Sequence, residues 1–124
     1  MATVNPFEYA LLRAVPRVQR GECVNVGVLL YCQERDYLEA LTHVDENRLR
    51  GLDPDVDLAA IDDALTAVCR TCEGAGPAAT TSLGQRFRWL TAPRSTVLQP
   101  GPVHAGLTDD PAAELARLVE ALVR

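Results

Sequence analysis

The stretch "RGECVNVGVLLYC" (residues 20–32) decides the fold, because its apolar residues alternate as they do in a β-strand. The other side of this strand carries Asn25 and Gly27 at its centre. A glycine inside a strand is typical of a bulge, or of close approach by another backbone or a ligand. We therefore expect the apolar side to face the core and the Asn25 side to point away from it. The apolar side consists of Val24, Val26, Val28, Leu30 and Cys32.

The segments around this strand extend it into a sheet. Residues 7–15 are rich in aromatic and β-favouring residues and end at Pro16, and a polar turn at 33–36 precedes the third segment. The first three segments predict an antiparallel meander, although the Leu, Glu and Ala of the third also allow a helix. The predicted strands are residues 7–15, 23–32, 37–43 and 94–100.

Apolar residues at three- and four-residue spacing predict two main helices, residues 53–74 and 109–124. The second helix has Asp110 as its expected cap and Pro111 at its first position. The remaining segments predict a short helical turn at 45–52, a loop at 75–82, a strand or turn at 85–90 and a loop at 101–108.

This order of elements predicts one α+β domain over residues 1–124. We expect an antiparallel sheet of about four strands, with the two main helices packed on one face, the face of the alternating valines. An exposed strand edge would make a homodimer easy to form.

Length and composition agree with a single globular domain, since 124 residues with 48% hydrophobic content can build a core. No stretch approaches the roughly 18 apolar residues that span a membrane. The opening "MATVNPFEYA" lacks the basic start and apolar run of a secretory signal, so we expect a cytoplasmic protein.

The basic residues are all arginine, and this excludes some chemistry. Without lysine the chain has no G-x-x-x-x-G-K-[ST] phosphate loop and no side-chain amine for a Schiff base. Residues 74–108 hold several arginines and no Asp or Glu, whereas residues 34–63 hold ten acidic residues. Arginine binds carboxylate and phosphate well, so a small-anion site is one interpretation.

Nucleic acid is a weaker interpretation. Phe87 and Trp89 flank Arg88 and could stack on bases, but the net charge of −5 argues against binding to the phosphate backbone of a nucleic acid.

The cysteines and histidines predict no metal or cofactor. Cys69 and Cys72 form a C-x-x-C inside a predicted helix, on the stripe that faces the core, whereas redox motifs open a helix. The other possible zinc ligands are single and scattered. Glu22 and His104 are the candidates for acid–base catalysis, if folding brings them together. The candidate binding residues are Arg13, Glu22, Asn25, Arg86, Arg94 and Ser95.

Two segments carry a family resemblance, "YALLRAVPRVQRGECVNVGVLLYC" and "RFRWLTAPRSTVLQPGPVHAGLTDDP". With the G-E-x-x-N-x-G run in the first, and the F-R-W-L, P-R-S and H-x-G-L runs in the second, the chain resembles the bacterial domain-of-unknown-function family 3037 (DUF3037) from about Phe7 onward. Cys23 departs from the family pattern, where an aromatic or other apolar residue is commoner.

The resemblance implies no established activity. It does imply a partner or accessory role, because members tend to be encoded beside a HipA-like kinase-fold protein. Our first interpretation is therefore a non-catalytic module that binds a protein partner around Asn25 and the arginine-bearing loops. The alternative is a small-anion binder or enzyme that uses Arg13, Arg86 and Arg94 with Glu22 and His104.

Overall fold

The computed structural model describes residues 3–124, and within them a five-stranded antiparallel sheet is combined with four α-helices. The strands are β1 (Asn5–Ala14), β2 (Val24–Cys32), β3 (Tyr37–Thr42), β4 (Leu98–Pro100) and β5 (His104–Thr108). The helices are α1 (Glu46–Leu52), α2 (Leu58–Cys72), α3 (Leu83–Leu90) and α4 (Pro111–Leu122). Short 3-10 turns occupy Gln33–Arg35 and Gly76–Thr80.

The strand order is β3-β2-β1, and both remaining strands pair with the far side of β1. β5 pairs with its N-terminal half, from Asn5 to Tyr9, and β4 pairs with its C-terminal end, from Leu12 to Ala14. The predicted α+β class and the N-terminal meander are therefore confirmed, with five strands in place of about four.

The segments at 85–90 and 101–108 differ from their predictions. Residues 85–90 lie in helix α3, which begins with a capping box between Ser82 and Gln85. Residues 101–108, predicted as loop, contain β5, whose order depends on its pairing with β1 and not on a local apolar alternation. The predicted strand at 94–100 is ordered as β4 only over Leu98–Pro100.

Caps determine where the two main helices begin. The α2 helix begins at Leu58, later than predicted, because the Asp57 side chain accepts a hydrogen bond from the Ala60 N–H. The predicted cap of α4 is confirmed, since the Asp110 side chain accepts from the Ala113 N–H and Pro111 is the first helical residue.

The helices cover both faces of the sheet, whereas the prediction placed the two main helices on one face. Leu29 lies in a core cluster with Ile61 of α2 and Phe87 of α3. Leu30, the next residue, lies in a second cluster with Leu118 of α4. Consecutive strand residues point to opposite faces, so α4 lies across the sheet from α2 and α3. The reason is that β1 and β2 are apolar on both sides, and each side needs cover.

A bulge in β2 changes which side its N-terminal end faces. The pairing with β1 steps from Gly27 directly to Asn25, which leaves Val26 as the extra residue. Val26 packs in the cluster of α2 and α3, whereas Val28 packs under α4. Asn25 therefore lies on the α4 side of the sheet, and not on a side that points away from the helices.

Gly27 sits beside the bulge at a point where a side chain would be crowded by its neighbours. A Cβ atom at this position would lie 3.0 Å from the Leu41 carbonyl oxygen and 3.3 Å from Leu12 Cδ1. We expect Gly27→Val to lower the free energy of unfolding by about 2 kcal/mol, because the added methyls overpack the sheet.

Urea denaturation measures this change, and Gly51→Ala is the matched control. Gly51 lies in α1 with open space around it. That substitution should raise stability by up to about 1 kcal/mol. Equal effects of the two substitutions would contradict the close approach at Gly27.

Within residues 3–124, no helix combines the length and the apolar character that crossing a membrane requires.

Candidate functional site

Two of the predicted binding residues, Arg13 and Asn25, meet in a cleft of about 550 Å³ at the C-terminal end of α4. They are paired neighbours on β1 and β2, and both face the α4 side of the sheet. The cleft is lined by Arg13, Cys23, Val24, Asn25, Arg48 and Leu122. We call it the arginine cleft.

Asn25 joins the sheet to the end of α4. Its Nδ2 group donates a hydrogen bond to the Leu122 carbonyl oxygen at 3.1 Å. The last carbonyls of a helix have no partner within the helix, so this amide satisfies one of them. The β2 bulge makes the contact possible, because it turns Asn25 toward α4.

Arg48 enters the arginine cleft from α1. Its Nη1 group donates to the Val123 carbonyl oxygen at 3.3 Å, and its Nε group pairs with Asp45 at 3.4 Å. Arg48 is not among the binding residues predicted from the sequence. Its only local feature is a position beside the buried Leu49, and the cleft forms through contacts with residues about 75 positions away.

Arg13 is positioned by a close approach to Gly101. A Cβ atom on Gly101 would lie 3.1 Å from Arg13 Cζ, so the guanidinium packs directly against this backbone. The Gly101 N–H is held in turn by the Leu11 carbonyl oxygen at 2.8 Å. A side chain at position 101 would therefore push the guanidinium out of its present place.

The arginine cleft suits a carboxylate or another planar anion. Two guanidinium groups and one amide converge on it, and the described residues that line it include no carboxylate. A guanidinium offers a fork of donors that matches a carboxylate with two parallel hydrogen bonds. The apolar side chain of Leu122 lies beside these donors.

The structure places Arg86 elsewhere, inside the connection between α2 and α3. Its guanidinium donates to the Cys72, Ala78 and Thr81 carbonyl oxygens and to Thr81 Oγ1, at 2.9–3.3 Å. These bonds engage all three guanidinium nitrogens with oxygen atoms of the protein itself. Arg86 therefore fastens the 3-10 turn Gly76–Thr80 to the two helices.

Arg94 and Ser95 follow the end of α3, on the opposite side of the sheet from the arginine cleft. Arg94 donates to the Trp89 and Ala92 carbonyl oxygens, and Ser95 is exposed. The predicted set of binding residues is thus divided between two surfaces.

Glu22 and His104 are not brought together. His104 pairs with Tyr9, and its ring lies 5.3 Å from the Tyr9 ring. Glu22 precedes β2, whose first residue Val24 pairs with Ala14 at the other end of β1. Tyr9 and Ala14 are about 17 Å apart along the strand. The Glu22 and His104 side chains are therefore too far apart to exchange a proton.

The loop between β1 and β2 holds two further arginines, and both are ion-paired. Arg17 contacts the Asp53 carboxylate at 3.2 Å, and Arg20 contacts Glu22. The hydrogen bond from Arg17 lowers the pKa of Asp53 below its usual value. This loop is therefore tied to the residue that follows α1.

The C-x-x-C pair is packed against β3. Burial raises the pKa of Cys69, and it raises the pKa of Cys72 to about 12. Both thiols are thus protonated near neutral pH, which opposes nucleophilic or redox chemistry. Within residues 3–124, no three His, Cys, Asp or Glu side chains lie close enough together to hold a metal ion.

Comparison with known proteins gives a family. The comparisons with curated proteins and with solved structures gave no match. A family model described as "Protein of unknown function (DUF3037)" matches residues 9–123, which is nearly the whole chain. The arginine cleft and the α2–α3 side both lie within the matched region, and the chain belongs to the DUF3037 family.

Proposed function

We propose that this protein is a non-catalytic interaction module of the bacterial cytoplasm, and that its arginine cleft binds a carboxylate of a partner protein. The observation that carries the proposal is the convergence of Arg13, Arg48 and Asn25 around a cleft whose described lining contains no carboxylate. Arg48 is paired with Asp45, whereas Arg13 has no acidic partner among the described residues, so Arg13 is the donor best placed to hold an acidic group.

The shape and lining of the cleft favour a protein segment as its ligand. A volume of about 550 Å³ is large enough for a side chain and part of its backbone. Leu122 is 39% exposed, and so it offers an apolar contact next to the guanidinium groups. Protein interfaces commonly combine an arginine with an apolar neighbour in this way.

The partner that we propose is a HipA-like kinase-fold protein encoded beside this one, as the family resemblance implies. An acidic surface segment on that protein would supply the carboxylate. Co-expression and affinity purification of the two proteins tests this proposal directly.

We expect Arg13→Gln to weaken binding of the co-expressed partner about tenfold or more, because it removes a charged donor from the contact. Calorimetry at two salt concentrations measures this, and higher salt should weaken the unaltered complex. Arg117→Gln is the matched control, since Arg117 is exposed on α4 and paired with Glu114. Binding that is lost equally in both variants, or in neither, would contradict a specific role of the cleft.

The second candidate function is binding of a small anion, and the same cleft favours it. Inorganic phosphate and a small dicarboxylate such as succinate are suitable probes. Saturable heat with either probe, abolished by Arg13→Gln, would support this function, and absence of heat would dismiss it. Glu22 and His104 take no part in this version, because they lie at opposite ends of β1.

A further inference from the structure

A second surface, on the other side of the sheet, carries an exposed tryptophan beside an apolar groove. The groove runs between α2 and α3, has a volume of about 320 Å³ and includes Ala64, Ala67, Trp89, Arg94 and Leu98. We call it the Trp89 groove. We propose that it binds an acidic amphipathic segment of a protein, with an apolar side chain against Trp89 and a carboxylate on Arg94.

Helix α3 presents Trp89 outward although it buries Phe87 and Leu90. Phe87 is 2% exposed and Leu90 is 7% exposed, but Trp89 is 53% exposed. Tryptophan is normally well buried, and exposed tryptophans are enriched among the residues that dominate protein interfaces. Phe87 and Leu90 thus pack in the core, whereas Trp89 is accessible to another molecule.

The α2 wall of the groove is made of small side chains. Ala64 and Ala67 are one helical turn apart and line the same groove, while Val68 packs into the core beneath. Small residues there leave a channel into which a partner's side chain can enter. Leu98 of β4 closes its floor with a further apolar contact.

The charge of the groove determines the chemistry of its occupant. Arg94 lines it, and the described lining residues include no Asp or Glu, although Asp62 and Asp63 lie on the same α2 helix. Arg94 uses two N–H groups for the Trp89 and Ala92 carbonyl oxygens, and a guanidinium has five. Its remaining donors complement a carboxylate and disfavour a cationic segment.

This surface is separate from the arginine cleft, which lies on the α4 side of the sheet. It therefore extends the proposed function, because one small domain would contact two partner segments at once. The two binding proposals can also be disproved independently, because substitutions in one surface do not alter the other.

Trp89 is the single tryptophan of the chain, so its fluorescence reports directly on the groove. The probe is a synthetic peptide with leucine at helical spacing and glutamate at the other positions, compared with a version that has lysine for glutamate. We expect the glutamate peptide to shift the Trp89 emission to shorter wavelength in a saturable way, and the lysine peptide to leave it unchanged.

Substitutions test whether the fluorescence shift reports binding in the Trp89 groove. Arg94→Gln should raise the dissociation constant of the glutamate peptide about tenfold, through loss of the charged donor. Ala67→Glu, at an exposed helical position, should abolish binding by filling the groove and repelling the peptide. Arg13→Gln should leave the titration unchanged, which separates this proposal from that of the arginine cleft.

Several results would overturn the proposal. An equal shift with the lysine peptide would show that charge does not select the ligand. A shift that grows with protein concentration in the absence of peptide would identify a second copy of this chain as the occupant. A shift with phosphatidylglycerol vesicles but not with the glutamate peptide would identify a membrane surface.

Discussion

Leu29→Ala and Leu30→Ala should each lower the free energy of unfolding by about 3 kcal/mol, because each removes a buried side chain from a different core. Both leucines have no exposed surface. Leu29 packs in the cluster of α2 and α3, and Leu30 packs in the cluster of α4. In a sheet covered on one face only, one of two neighbouring residues would face water and tolerate alanine.

Guanidinium chloride denaturation measures both substitutions, and Leu107→Ala is the control. Leu107 lies on the edge strand β5 and is 68% exposed, so its truncation should change stability by less than about 0.5 kcal/mol. A large loss for only one of Leu29 and Leu30 would contradict the arrangement in which helices cover both faces.

Arg86→Met should lower the free energy of unfolding by about 3 kcal/mol, because it removes the hydrogen bonds that the guanidinium donates to the Cys72 and Thr81 carbonyl oxygens and that join α2 to the following turn. It bonds to Cys72 at the end of α2 and to Ala78 and Thr81 in the following turn. Gly74, at φ 82°, leaves room for it, since a Cβ atom there would lie 2.9 Å from Arg86 Nη2. Methionine keeps much of the apolar length of the side chain and removes every donor.

The same denaturation experiment checks this prediction, with Arg70→Met as the matched control. Arg70 is exposed on α2, and its replacement should cost less than about 0.5 kcal/mol. A small effect of Arg86→Met, combined with weaker binding of phosphate, would instead return Arg86 to the ligand site that the sequence suggested.

The parts of the fold that the sequence predicts are those with strong local signals. The meander follows from alternation, and α4 follows from apolar spacing with a cap at Asp110. Helix α3 is short, and the β-favouring Phe87 and Trp89 obscure it. Its start is encoded only by the capping box of Ser82 and Gln85, a signal that a search for S-x-x-Q would have found.

The division of the helices between the two faces of the sheet was not predicted, for a different reason. A period of two places Val26 and Val28 on one face, but the bulge separates them. A bulge depends on how two strands pair, and one strand read alone does not show it. The apolar Leu29 and Tyr31 on the second face were the available hint that this face is also covered.

The candidate site was predictable only where its members share a strand pair. Arg13 and Asn25 are direct partners in the sheet, and both were predicted as binding residues. Arg48 reaches them through tertiary contacts that no local pattern records. Arg86 looked like a ligand-binding arginine because it lies in an acid-free segment, yet its donors are taken by backbone carbonyls.

Because Val26 is an extra residue in β2, a gap at this position in an alignment of relatives would have a structural interpretation. A relative that lacked Val26 would keep its asparagine opposite Arg13, because Asn25 would then directly precede Gly27 and both pairings with β1 would remain. A relative of equal length whose strand had no bulge would instead turn its asparagine to the other face, away from the end of α4. A one-residue gap at position 26 would therefore mark relatives with a regular strand that still have the arginine cleft.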